Sequence, residues 1–324
     1  MRQAIPVGIG AGLAAAAFYL LVVSYPVTSM VLLYVAPLPL FIAGLGWGGT
    51  TAAIGVFFGA GLVALANDPR VAMSFLANVG VTPVCLSYLA LLSRLPARHH
   101  AGGAGRNHEE ARQWYPEGRL VLWAAAFAAG LVSLGIILSA SSAEIFYRSL
   151  SDLILRIVAA APKTANDPTP NMGADFNPAI AVLARLVPLA SAALWLVAML
   201  VNLWLAARIL TLSGRQSRPF APFHSLTLPP QTGLALALAV ALACLASGMT
   251  ALIAGIVAAV TVTAFAIQGL AVCHAVTLSR TTRPILLAGL YIALLVFNWI
   301  AILALACLGV IETVSGLRRH WCSP

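Results

Sequence analysis

Inside the apolar stretches of this sequence, three sets of polar residues recur at intervals that keep them on one side of a helix. Ser191, Trp195 and Asn202 form the first, Thr250, Thr261 and Gln268 the second, and Tyr291, Asn298 and Glu312 the third. Separations of seven or eleven residues return to the same helix face, and a polar side chain at membrane depth costs free energy unless it meets protein or water. Two readings stay open. On one, the lines converge on a cavity for a small polar molecule, with Ser191, Trp195, Asn202, Gln268, Tyr291 and Asn298 as candidate ligand contacts. On the other, they make interhelical hydrogen bonds of about 0.6–2 kcal/mol each that hold a bundle together. Both place Asn202 and Asn298 in a shared interior. Catalysis finds less support: the apolar runs hold no Asp or Glu before Glu312, no HExxH and no GxSxG. Nucleophile–base pairs and paired acids are therefore missing at membrane depth. No catalytic residue is assigned and an enzyme is not expected. No P-loop occurs either, so ATP-driven transport would need a separate motor subunit.

A second constellation is basic. Arg208, Arg215 and Arg218 fall within eleven positions, and no acidic residue lies between Asp175 and Glu312. They follow an apolar run from residue 178 of about 32 residues, roughly 48 Å as a helix against a hydrocarbon core of roughly 30 Å. That helix should cross the membrane and protrude, carrying Arg208 to the headgroups, with Gly214 ending it and Pro219 preventing a restart. The three arginines are candidates for docking anionic lipid or an acidic partner, at about 1 kcal/mol per basic residue near an anionic leaflet. A helix dipole accounts for Arg208 alone. Arg185, some seven residues into the same run, either snorkels to the outer interface or counters an anionic ligand. His99, His100, His108, Glu109 and Glu110 lack rigid metal-ligand spacing, so no metal and no cofactor is expected.

The elements that must position these residues follow from composition. With 61% hydrophobic and 8% charged residues and a mean hydropathy of +0.96, the chain is far more apolar than a soluble domain. An all-α polytopic bundle of about 8–9 spans is expected, in contact with the lipid bilayer. Its 18 basic residues against 9 acids sit in short connections and form no continuous face, so the charge reports orientation and not nucleic-acid binding. Four of the five cysteines lie within apolar runs, which makes neither a disulfide framework nor a metal site.

Residues 1–93 read as an N-terminal four-span unit: 5–25, 27–44 with Pro37 and Pro39, 47–66, and 71–93 after a polar turn. The first has no small-x-small cleavage site and is read as a retained span. The paired prolines demand neighbours that satisfy the freed carbonyls, so the second span should be buried in protein. Gly55 with Gly59, and Gly8 with Gly12, mark close helix packing. Residues 94–119 form a basic, Gly-rich, mobile cytoplasmic loop with five Arg and three Glu. Residues 120–324 make a C-terminal membrane unit. It begins with a span at 120–140 and continues with an amphipathic interfacial helix at 142–160, on which Phe146, Leu150, Leu153, Ile154 and Ile157 share a stripe and Ser141 or Ser142 is the cap. The long span and a basic loop at 208–231 follow. An apolar run at 231–274 should break at Ser247, Gly248 and Met249, and the last run, 284–311, reads as one long or tilted span. Nine crossings result, or eight if the piece before Gly248 is re-entrant. Charge bias ties between them, but both put the 94–119 and 208–231 loops inside and 141–178 outside.

The tracts NLWLAARILTLSGR with the following RPF and LPP, IQGLAVCHAVTLSRTTR, and PLPLFIAGLGWG resemble the YybS-like family of uncharacterised multispanning bacterial membrane proteins. That family is itself similar to the substrate-binding (S) subunits of energy-coupling-factor vitamin transporters. The resemblance implies a multi-pass protein of the bacterial inner membrane, its N-terminus cytoplasmic. As a transporter subunit it would bind a small molecule and meet ATPase and transmembrane coupling subunits. The alternative is a non-catalytic membrane scaffold that recruits a partner through its basic cytoplasmic loops.

Overall fold

The computed structural model describes residues 3–94, 112–160 and 177–318. Helices carry almost all of it, and their ends fall where backbone chemistry requires. Helix α1 (Ala4–Ser24) is followed by α2 (Pro26–Val35) and α3 (Leu38–Trp47), which together make the second apolar passage. The junction coincides with Pro37 and Pro39, whose missing N–H groups interrupt the ladder. Gly48, at φ 102°, turns the chain into α4 (Gly49–Ala66). Asp68 caps α5 (Pro69–Phe75) by accepting from the Arg70 N–H at 2.7 Å; a π-helical turn at Leu76–Gly80 then leads into α6 (Val81–Leu91). A two-residue antiparallel pair, β1 (Ser93–Arg94) with β2 (Gln113–Trp114), precedes α7 (Glu117–Ser139). The mobile loop expected over 94–119 is therefore ordered at its ends; its centre, with His99, His100, His108, Glu109 and Glu110, lies outside the described residues.

Helix α8 (Ala143–Ala160) realises the amphipathic helix, with Ser142 Oγ accepting from the Ile145 N–H at 3.3 Å and an exposed Glu144–Arg148 pair along its polar side. It packs against α9 (Asn177–Leu212) and α11 (Gly248–Val276) at one end of the bundle. Between those two lies α10 (Gln231–Leu245), and the break before α11 falls at Ser247 and Gly248, as the composition implies. The segment expected to loop after α8 lies mostly outside the described residues.

The last run departs from expectation. It is two helices, α12 (Arg283–Phe297) and α13 (Trp299–Ser315), separated at Asn298 with φ 32°. Among non-glycine residues Asn adopts positive φ most readily, and no Gly or Pro marks the site. Leu286, Leu287 and Leu290 of α12 share a cleft with Leu308 of α13 and Leu317 beyond it, so the run folds back on itself.

Six helical segments are long and apolar enough to cross a membrane, and shorter apolar helices at Val31–Trp47, Gln231–Leu245, Arg283–Phe297 and Trp299–Ser315 complete the described bundle. The two ends of the described chain come together. Gln3 accepts from Arg215 at 3.4 Å, and Arg318 donates to the His224 and Leu226 carbonyls, so both ends meet one connection, residues 213–230. Arg280 and Arg318, which the hydropathy counts put on opposite faces, share one.

Two packing centres lie within the bundle. One surrounds Tyr19, Leu40 and Phe75; the other runs from Phe41 through Leu196 and Met199 to Phe265. Adjacent residues of α3 thus enter different centres. Helices α1 and α4 meet through the four glycines singled out for packing. A Cβ on Gly12 would land on the Gly55 carbonyl, and one on Gly59 would come within 2.7 Å of the Gly12 oxygen.

Candidate functional site

The polar lines resolve into separate attachments. Asn202 is buried at 4% exposure, and its amide donates to the Tyr34 carbonyl at 2.6 Å and to the Ala198 carbonyl at 2.7 Å. Tyr34 lies one turn before the proline break, so this bond supplies a donor where the ladder is interrupted; of the second apolar passage α3 is buried in protein, whereas α2 is not, Val31 being 73% exposed. Gln268, 1% exposed, uses its whole amide: Oε1 accepts from the Leu228 N–H at 2.7 Å, and Nε2 donates to the Gly309 carbonyl at 3.0 Å and Thr313 Oγ1 at 2.8 Å. Ser191 bonds only up its own helix, to Val187. Trp195 is buried with its ring 6.0 Å from that of Tyr34, and its indole N–H has no partner among the described residues. Tyr291 meets His274 Nε2 at 3.1 Å, and Asn298 is exposed at the helix break. Asn202 and Asn298 therefore do not share an interior, and the six candidate contacts line no common cavity. Asn202→Leu is expected to lower stability by about 1 kcal/mol, the scale of an interhelical bond in a membrane; a thermal denaturation midpoint identical to the parent's would contradict the attachment to Tyr34.

The basic strip also divides. Arg208 and Arg215 are exposed, Arg215 with its guanidinium 5.0 Å from the Trp47 ring centre. Arg218 is not available for docking: it is 4% exposed and donates to the Ala90 carbonyl and the Tyr115 carbonyl, each at 2.8 Å. Its charge lies 3.5 Å from Glu117 Oε1, which also accepts the Ala221 N–H at 2.6 Å, and its guanidinium lies 4.8 Å from the Phe220 ring centre. Burial pushes the guanidinium down from its ordinary pKa and Glu117 pulls it back up. The reason for the discrepancy is spatial: the last turn of α6 and the connection before α7 present carbonyls, of Ala90 and Tyr115, that one fork of donors can satisfy.

A second arginine repeats the device. Arg318 donates from Nε to Glu312 Oε1 at 2.9 Å, and to the carbonyls of His224 at 2.6 Å and Leu226 at 2.8 Å. Glu117 and Arg318 carried no sequence motif. Their only legible signal was scarcity, since an acid in so apolar a chain needs a partner. Gly118 adds a close approach, because a Cβ there would strike the Thr227 carbonyl. Residues 213–230 are thereby pinned to α6, α7, α11 and α13.

Open space lies elsewhere. Val272, Cys273 and Val276 of the α11 end and Thr277 after it, with Leu286, Leu287 and Leu290 of α12 and Leu308 and Leu317, line an open apolar cleft of about 310 Å³. That lies at the lower end of small-molecule sites. Helix α12 has no buried residue; Ile285 is 74% and Leu295 84% exposed, so it stands off the bundle and forms the outer wall of the cleft. No group of three or more metal-ligating side chains occurs among the described residues.

No curated protein and no solved structure matches the chain. A family model, described as a predicted membrane protein (DUF2232), matches residues 13–313, nearly the whole length and every helix of the cleft. The chain therefore belongs to the DUF2232 family of predicted membrane proteins.

Proposed function

We propose that this multi-pass membrane protein is a non-catalytic, small-molecule-binding subunit that works with a separate energising partner, the role implied by its resemblance to transporter S subunits. The observation that carries the reading is the apolar cleft between α11, α12 and α13, walled by a helix with no buried residue. Asn202 and Gln268 have spent their donors on backbone and neighbouring side chains, which leaves them little to offer a ligand. The face bearing Gln3, Arg215 and Arg318 is assigned to the cytoplasm of a bacterial inner membrane because arginines concentrate there. Docking to an ATPase pair, or to anionic lipid in the scaffold alternative, would use Arg208 and Arg215 and not Arg218.

The test is native mass spectrometry on protein extracted directly into lipid nanodiscs, together with identification of co-purifying chains. A bound small molecule that disappears in a Leu290→Trp variant, and an ATPase pair among the co-purified proteins, are the expected results. An adduct-free parent protein with no ATPase companion would refute the subunit role. A cysteine placed at Ser217 should react only with reagents that reach the cytoplasm; labelling from outside would reverse the orientation.

A further inference from the structure

We infer that the cleft between α11, α12 and α13 holds an anionic lipid, one acyl chain lying among the leucines and the headgroup at Arg280 and Arg283. The inference rests on the ligand-binding reading above and names the ligand's class. The cleft wall is hydrocarbon almost throughout, Thr277 being its one residue with a side-chain hydroxyl, and that hydroxyl already donates to the Cys273 carbonyl at 2.9 Å. A small polar solute would therefore lose its hydrogen bonds to water on entering and gain none, whereas an acyl chain loses nothing. The exposed apolar side of α12, with Ile285, Ile292 and Leu295, puts the cleft beside the hydrocarbon from which such a chain would come.

The mouth supplies the charge. Thr277, at the rim, is joined through its carbonyl to the Arg280 N–H at 3.2 Å, and the Arg280 carbonyl to the Arg283 N–H at 3.1 Å, so both arginines belong to the turn that closes the cleft. Arg280 is exposed, and Arg283 is the first residue of α12. The sequence offers no acid between Asp175 and Glu312, and Glu312 is taken by Arg318 at 2.9 Å. Among the described residues neither Arg280 nor Arg283 has an ion pair, so the turn carries two free positive charges next to an apolar slot, complementary to a headgroup phosphate on a hydrocarbon tail. A structural role for these arginines as topology signals asks only for charge on this face. It does not ask for a cleft between the helices they join.

The experiment uses the full chain in nanodiscs of phosphatidylcholine with about one-tenth phosphatidylglycerol, read by native mass spectrometry for retained lipid, with a photo-crosslinking residue at Leu287 in a parallel sample. The expected result is one retained phosphatidylglycerol and a crosslink from position 287 to lipid. Arg280→Gln with Arg283→Gln should cut the preference for phosphatidylglycerol over phosphatidylcholine about 10- to 30-fold at low salt, given two basic residues near the headgroup. Leu290→Trp, which fills the slot, should abolish retention of both lipids, and an unchanged melting temperature certifies that the variants are folded. Retention without headgroup preference, or a preference untouched by the double replacement, overturns the anionic-lipid assignment while leaving a ligand site. A crosslink from position 287 to protein would name a polypeptide occupant and overturn it too. No retained molecule of any kind, and no effect of Leu290→Trp, defeats the ligand-binding reading as well.

Discussion

Arg218→Gln should cost about 3–5 kcal/mol of stability, because removing one member of a buried charged cluster leaves its partners desolvated and unpaired. Two carbonyls, of Ala90 and Tyr115, lose a charged donor, and Glu117 loses its counter-charge. Arg218→Lys should recover only part of this, since an ammonium cannot reproduce a planar fork that reaches three acceptors. Arg208→Gln, at an exposed position on the preceding helix, should stay within about 0.5 kcal/mol. The comparison is made by thermal or detergent denaturation of all three variants. If Arg218→Gln and Arg208→Gln melt together, the pinning of the 213–230 connection has been misread.

Gly269→Val is expected to have the other large effect. Helices α11 and α13 cross with backbone against backbone: a Cβ on Gly269 would land on the Leu305 carbonyl, and one on Gly309 on the Phe265 carbonyl. Main chain cannot swing aside as a side chain can, so the helices must part. Overpacking of this kind costs about 1–3 kcal/mol or more. Separation should also break the Gln268 bonds to the Gly309 carbonyl and to Thr313, which moves the expected loss to the upper end. Gly289→Ala on α12 is the control, because nothing lies within 4 Å of a Cβ there. Equal stability of the Gly269 and Gly289 variants would show that the crossing is looser than it looks.

The bundle was legible because lipid leaves the chain few options: apolar runs of sufficient length must be helical to satisfy their own backbone. The α1–α4 contact was legible from Gly8, Gly12, Gly55 and Gly59, and the burial of the second passage, which the structure shows for α3 and not for α2, from Pro37 and Pro39. The α11–α13 contact was not, because Gly269 and Gly309 pair across forty positions and neither sits in a repeated small-residue motif. Asn298 escaped for a related reason. Its sequence neighbourhood is continuous hydrocarbon, and 28 apolar residues fit one tilted span by length as well as two short helices. For the candidate site, periodicity located Asn202 and Gln268 as interior residues but could not say which acceptors waited there. The cleft was invisible, since an apolar wall has the composition of any lipid-facing helix.

The arrangement of the two arginine clusters also sets an order in time. Arg218 can reach Ala90, Tyr115 and Glu117 as soon as its own connection has been made, because all three precede it in the chain. Arg318 comes 100 residues later. At a synthesis rate of about 5–20 residues per second, roughly 5–20 s separate the two. Through that interval the His224 and Leu226 carbonyls await Arg318, and through its first half the Leu228 N–H awaits Gln268. The connection is thus half-fastened from behind and half from ahead, and a nascent chain that stalls before its last helix exposes the unfinished half to whatever surveys that side of the membrane.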